Sequence, residues 1–343
     1  MKSTSITMLT TLAALTLAQG CVLKPEDDAD RFRDAIPQAE AVKVDGPETV
    51  AQAPQSQSAS FEGLNGVKSA DEPWADGPWA YWYGFTRHIR QGVNKVTAEV
   101  LGGIWIVVNT KPTSVEKNEA IWGPYTDSLE PVTYRFRVTE VNPDEYDYAL
   151  EGRPKGSTSD ADYKAVLYGK GWGKGNEKHG DGFFVIDLDA SRELDPFGKD
   201  PNDSGTVRID HDLPSTITTD LFSGPRLVTA TVTPSQSDSY WSASSTTNED
   251  GTGMLFVDAH DDVDDSNATL KEDVQIRSRW NEHGAGRADI TLQGGDVPQS
   301  LGTVAAVECW DSSFARVYYD DSVDYAPSEG VVAACAYSEP LSE

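Results

Sequence analysis

The stretch Val132-Thr-Tyr-Arg-Phe-Arg-Val138 decides how this chain is read, because bulky apolar or aromatic residues alternate there with Thr and Arg at a period of two. Successive side chains of a strand point to opposite faces, so this pattern describes a strand with one face buried and the other in water. The same period, complete or nearly so, returns in Asp147-Tyr-Ala-Leu-Glu151, Phe183-Phe-Val-Ile-Asp-Leu188, Thr206-Val-Arg-Ile-Asp210 and Leu227-Val-Thr-Ala-Thr-Val232. It continues in Met254-Leu-Phe-Val257, Val274-Gln-Ile-Arg-Ser-Arg-Trp280, Ala288-Asp-Ile-Thr-Leu292, Thr303-Val-Ala-Ala-Val-Glu-Cys309 and Phe314-Ala-Arg-Val-Tyr-Tyr319. Turn residues separate these segments, as in Asn142-Pro-Asp-Glu145, Glu249-Asp-Gly251 and His283-Gly-Ala-Gly286. Spacing this short leaves no room for helical crossovers, so the strands follow one another as an antiparallel meander of hairpins.

Before Pro112 the period is different. Trp82, Ile89, Val93, Val96, Val100 and Ile104 recur at three, four or seven, which predicts one long helix from near Trp79 to near Val108, closed by Lys111-Pro112. The aromatics crowding its start, Trp79, Tyr81, Trp82, Tyr83 and Phe85, fit a deeply buried helix better than a sugar-stacking platform or an interfacial anchor. The expected fold is therefore mainly β (α+β): a large curved antiparallel sheet or open barrel packed on one long N-terminal helix. A two-sheet sandwich is the alternative.

The chain carries 56 acidic against 28 basic residues, a formal charge of −28. Phosphate binding depends on Lys and Arg displacing counterions, and no basic cluster is present, which argues against a nucleic-acid partner. No internal apolar run is long enough to span a bilayer; the longest, 100–108, reads as core.

At the N-terminus Lys2 precedes an apolar stretch over 6–18 and the small residues of Ala18-Gln19-Gly20-Cys21. This arrangement resembles a bacterial lipoprotein signal peptide ending in a lipobox, with Ala18 where Leu is commonest. The resemblance implies that residues 1–20 are removed and that Cys21 carries fatty acyl chains of the palmitate class. It also implies a lipid-anchored place in the cell envelope, in the outer membrane because Val22 and not Asp follows the cysteine. Residues 21–72 are acidic and rich in Ala, Gln, Ser and Pro, and they read as a flexible tether of about 40 Å root-mean-square reach ahead of a β-rich domain over 73–343. In layout the whole chain is similar to Gram-negative envelope lipoproteins. With Cys21 lipidated, Cys309 and Cys335 remain as an even pair in an oxidising compartment, so a disulfide between them is expected. It would close a loop of about 25 residues and contribute roughly 3 to 4 kcal/mol.

Catalytic signatures do not emerge. The histidines, His88, His179, His211, His260 and His283, lack metal spacing, and no GxSxG occurs. Gly169-Lys-Gly-Trp-Gly-Lys-Gly175 matches neither phosphate-loop pattern and reads as a mobile loop at a strand end. The pairs Asp187/Asp189 and Asp210/Asp212 would put two carboxylates on one outward strand face, an arrangement a glycosidase could use. Asp200, Asn202 and Ser204 with Gly205 match the start of a calcium loop, but His211 stands where the closing glutamate belongs. A second acidic run, 258–265, lacks the glycine. No cofactor is expected beyond this calcium candidate. The resulting expectation is an envelope lipoprotein without evident catalytic activity, binding a partner or serving a structural role. The alternative is a lipocalin-like or lipoprotein-carrier-like binder of an apolar ligand, in which Phe183, Val274 and Ile290 would line a cavity.

Overall fold

Among the described residues fifteen strands, each antiparallel to its neighbour, join into one continuous sheet that does not close on itself, with one small hairpin left outside it. The computed structural model describes residues 29–47, 79–172, 180–196, 204–213, 216–218, 221–223, 225–261, 270–295, 297–323 and 326–341. A short helix α1 (Asp30–Arg33) and the long helix α2 (Tyr81–Val108) precede the strands β1 (Ser114–Val115), β2 (Glu119–Tyr125), β3 (Val132–Asn142), β4 (Glu145–Pro154), β5 (Lys164–Trp172) and β6 (Gly180–Asp187). Helix α3 (Leu188–Leu194) leads to β7 (Thr206–Leu213) and the small separate hairpin β8 (Thr216–Thr218) and β9 (Leu221–Ser223). The sheet resumes with β10 (Arg226–Thr233), β11 (Tyr240–Thr247), β12 (Gly253–Asp261), β13 (Glu272–Trp280), β14 (Gly286–Gly294), β15 (Thr303–Trp310), β16 (Arg316–Asp321) and β17 (Glu329–Gly330). The two edge strands are only two residues long, so each covers only part of the strand beside it.

The period-two segments behave as their spacing predicts. In β13 burial alternates along the strand, with Val274, Ile276, Ser278 and Trp280 facing inward. The register aligns such residues laterally: Trp122, Phe136, Leu150, Leu167, Ile186 and Val207 form one inner row across β2 to β7. Trp280 and Trp310 each have a glycine as cross-strand partner. A Cβ at Gly253 would lie 2.3 Å from the Trp280 ring, and one at Gly286 2.4 Å from the Trp310 ring. Besides the two- and three-residue strands β1, β8, β9 and β17, three longer strands were not legible as alternation, β2, β5 and β11. Gly169-Lys-Gly-Trp172, expected as a mobile loop, is the end of β5, and its Gly169 lets the ring of Tyr148 lie against the sheet.

Helix α2 begins two residues after Trp79 and ends at Val108, close to the expected span. Ile89, Val93, Val96, Val100, Leu101, Ile104 and Val108 are buried in one apolar cluster with the inner face of the sheet. Lys95, Ala98, Glu99 and Ile106 form the opposite, exposed side. Among the described residues no helix is long and apolar enough to cross a membrane.

The expected flexible tether over 21–72 does not hold for residues 29–47. Phe32, Ile36, Val42 and Val44 are all fully buried in the same cluster as α2. The apolar residues are few but well placed, and backbone polar groups find partners: Asn94 of α2 donates to the Val44 carbonyl at 2.8 Å and accepts from the Val44 N–H at 2.7 Å. Trp105 donates to the Pro37 carbonyl at 3.2 Å. The rest of that stretch lies outside the described residues.

Candidate functional site

The polar groups that the fold has buried most deeply converge on the two ends of α2. A helix leaves its first N–H groups and last carbonyls without intrahelical partners, and its dipole favours negative charge at the start and positive charge at the end. At the start, Glu308 of β15 is fully buried and its two oxygens accept from Tyr81 N at 2.8 Å and Trp82 N at 2.7 Å. Arg316 of β16 stands 3.8 Å away. Burial pushes the Glu308 carboxyl up to about 7, against the opposing pull of the helix N–H groups and of Arg316. At the other end Arg33, also fully buried, donates from Nε to the Val108 carbonyl at 2.7 Å and from Nη2 to the Thr110 carbonyl at 3.1 Å. Its Nη1 reaches Asp30 at 3.0 Å. Trp122 adds its indole N–H to the Thr110 carbonyl at 3.1 Å.

A lateral row of inward residues, in which polar and apolar side chains are mixed, leads to Glu308. His211, Val228, Ser245, Leu255, Ser278, Ala288 and Glu308 are successive cross-strand neighbours from β7 to β15. Thr86 of α2 lies 3.3 Å from Ser278, oxygen to oxygen. Ser245 accepts from the Asp45 N–H at 3.2 Å, and Asp45 forms a salt bridge with Arg226 of β10. Arg226 also donates to the Glu40 carbonyl at 3.2 Å, so residues 40–45 are held to β10 and β11. Neither imidazole nitrogen of His211 has a hydrogen-bond partner of ordinary geometry among the described residues. Burial lowers its imidazole to about 4, outweighing the weaker upward pulls of the Gly180 backbone and of Asp210. The ring is therefore neutral in the folded protein at neutral pH.

The residues singled out in the sequence do not come together as one site. Cys21, Asp200 and Asn202 lie outside the described residues. Cys309 and Cys335 are bonded, with Cα atoms 5.4 Å apart, and the disulfide fastens the C-terminal segment to β15. Arg287 reinforces that attachment by donating to the Ser338 carbonyl at 2.6 Å. Ser204 is buried, and Gly205 (φ +83°) packs against the backbone of 233–235, where a Cβ would sit 1.9 Å from the Thr233 carbonyl. The strand β7 starts immediately afterwards, which places His211 in the core about 20 Å along an extended chain. In that position His211 does not supply the closing ligand of a compact twelve-residue loop, while the first two candidate ligands lie outside the described residues. Among the described residues no group of three or more His, Cys, Asp or Glu side chains is placed to hold a metal ion.

The expected acid pairs also separate by role. Asp187 caps α3 by accepting from Ala190 N at 2.8 Å, while Asp189 lies within that helix and pairs with Arg192. Asp210 does share an outward face with Asp212, but it is paired with Arg208. Of the candidate cavity residues, Val274 and Ile290 are buried in the cluster that α2 fills. Phe183 is on the other face, under the guanidinium of Arg208 at 3.9 Å, and Phe184 takes the inward position. Four polar residues that organise the interior, Arg33, Asn94, Arg226 and Glu308, were missed in the sequence. For Glu308 a signal existed, since its phase places it with inward Trp310. No family model, no curated protein and no solved structure matches the chain.

Proposed function

We propose that this protein is an exported lipoprotein, anchored in the cell envelope through acylated Cys21, whose helix-filled sheet acts as a rigid binding or structural module. The reading of address rests on the lipobox-like N-terminus and its outer-membrane form. The reading of role rests on one observation: α2 and residues 29–47 occupy the concave face of the sheet, where Val274 and Ile290 pack in a continuous apolar cluster. A carrier of an apolar ligand would need that face for its cargo. The described surfaces free to meet a partner are therefore the outer face of the sheet, its two rims and the exposed side of α2.

Intact mass spectrometry of the protein expressed in a Gram-negative host, beside its Cys21→Ala variant, tests both parts. The expected result is a chain beginning at Cys21 with acyl chains attached, and a bare native mass for the variant. An unacylated product would overturn the anchor, and a stoichiometric apolar ligand on the variant would overturn the role in favour of a carrier.

A further inference from the structure

The structure places the entry of the chain at one rim of the sheet. Arg31 of α1 binds Glu140 near the end of β3 and the Lys117 carbonyl in the β1–β2 turn. Phe32 meets Tyr146, near the start of β4, edge-on at 6.3 Å between ring centres. Antiparallel pairing carries this rim around the molecule through the β3–β4, β11–β12, β13–β14 and β15–β16 turns. The turns between β2 and β3, β10 and β11, and β14 and β15 form the opposite rim, about 30 Å away along strands of eight or nine residues.

Cys21 precedes Ala29 by eight positions, and Ala29 is fully buried. An extended chain spans at most about 3.5 Å per residue, so about 28 Å separates the two at full stretch. The packing of 29–47 thus replaces the long tether that composition suggests with a short one. We infer that the rim carrying Arg31 and Lys117 faces the lipid surface at close range, and that the opposite rim points away from it. This inference rests on the lipid-anchor reading above. Charge does not supply the attraction: Asp144, Asp181, Asp212, Glu249, Asp250 and Glu282 populate this rim. The covalent anchor holds an acidic rim near the bilayer, and added salt should leave its proximity unchanged.

The test uses the acylated full chain in phosphatidylcholine vesicles that carry a headgroup energy acceptor. Donor dyes are attached in turn through Lys117→Cys, on the proposed near rim, and Gln236→Cys, in the β10–β11 turn of the far rim. Both positions are exposed. The expected result is at least twofold greater transfer from Lys117→Cys, unaffected by salt and abolished as a difference by a long Gly/Ser spacer inserted after Val22. Equal transfer from both sites in protein whose mass shows acylated Cys21 would overturn the inference and leave the anchor standing. A mass without acyl chains would overturn the anchor itself, and the inference with it.

Discussion

The two ends of α2 solve the same problem with groups of opposite sign drawn from opposite ends of the chain. At the N-terminal end Glu308 comes from the sheet, so the strand that carries it is held by hydrogen bonds on both sides. At the C-terminal end Arg33 comes from a segment with little regular structure. The difference shows where the fold is vulnerable. Loss of the Glu308 interaction leaves β15 in place, whereas loss of Arg33 removes the polar attachment that joins 29–47 to the end of the helix.

The largest effect should therefore follow Arg33→Ala. The variant deletes a fully buried side chain, leaves a cavity and removes a donor from two carbonyls, that of Val108 buried and that of Thr110 partly so. A loss of about 4 kcal/mol is expected from urea unfolding. Protease cleavage within 29–47 should rise with it. A loss below about 1 kcal/mol would mean that the apolar contacts of Phe32 and Ile36 alone hold the segment.

Next in size is removal of the disulfide beside the other end of the helix. Cys309 adjoins Glu308, and its bond to Cys335 spans a sequence separation of 26. The loop-entropy relation gives about 3.5 kcal/mol for a loop of that length. The double replacement of both cysteines by Ala should lower stability by about that amount while leaving the helix signal in circular dichroism unchanged. A loss of helix would show that β15 is held mainly through the disulfide.

Glu308→Gln separates charge from shape. A folded-state value of about 7, above the ordinary 4.5, means that the native protein holds its proton more tightly than the unfolded chain. The stabilisation this provides is fully present below about pH 4.5 and is lost as pH rises toward 7. His211 runs the other way: its folded value of about 4 lies below the ordinary 6.5, so its contribution is present above 6.5 and is lost as pH falls toward 4. The two slopes oppose each other in the intact protein. In Glu308→Gln only the His211 slope remains, so urea midpoints of the variant should improve relative to the parent as pH moves from 5 to 8, by about 2 kcal/mol. A constant difference across that range would show that Glu308 titrates normally.

These residues also show what the sequence could reveal. The sheet was legible because its signal is local: one face of each strand is buried, and alternation within seven residues reports it. Strands β5 and β11 escaped because Gly169 and Gly171, like the serines and threonines of 242–247, carry little apolar contrast. The helix was legible from its apolar stripe, while its capping groups were not, because Arg33 lies 75 positions from the Val108 carbonyl and Glu308 227 positions from the Tyr81 N–H. Nothing in a local window distinguishes such an arginine from a solvated one. Residues 29–47 look like tether for a related reason, since four large apolar side chains and three alanines suffice once Asn94, Trp105 and Arg226 satisfy the backbone around them.

The smallest expected effect lies between the two capped ends and has the opposite sign. Gly102 lies in the last third of α2, and a Cβ built there meets nothing within 4 Å. Glycine in a helix interior costs roughly 0.5 to 1 kcal/mol relative to alanine, chiefly through the freedom it gives the unfolded chain. Gly102→Ala should therefore stabilise the protein by up to about 1 kcal/mol, read as a higher urea midpoint. If α2 behaves as one rigid rod held at both ends, the gain should persist in Glu308→Gln and add to that variant's own change, because the sites are well separated. If the gain disappears in Arg33→Ala, the last turns of the helix depend on the guanidinium for their order, and the C-terminal end is the weaker of the two.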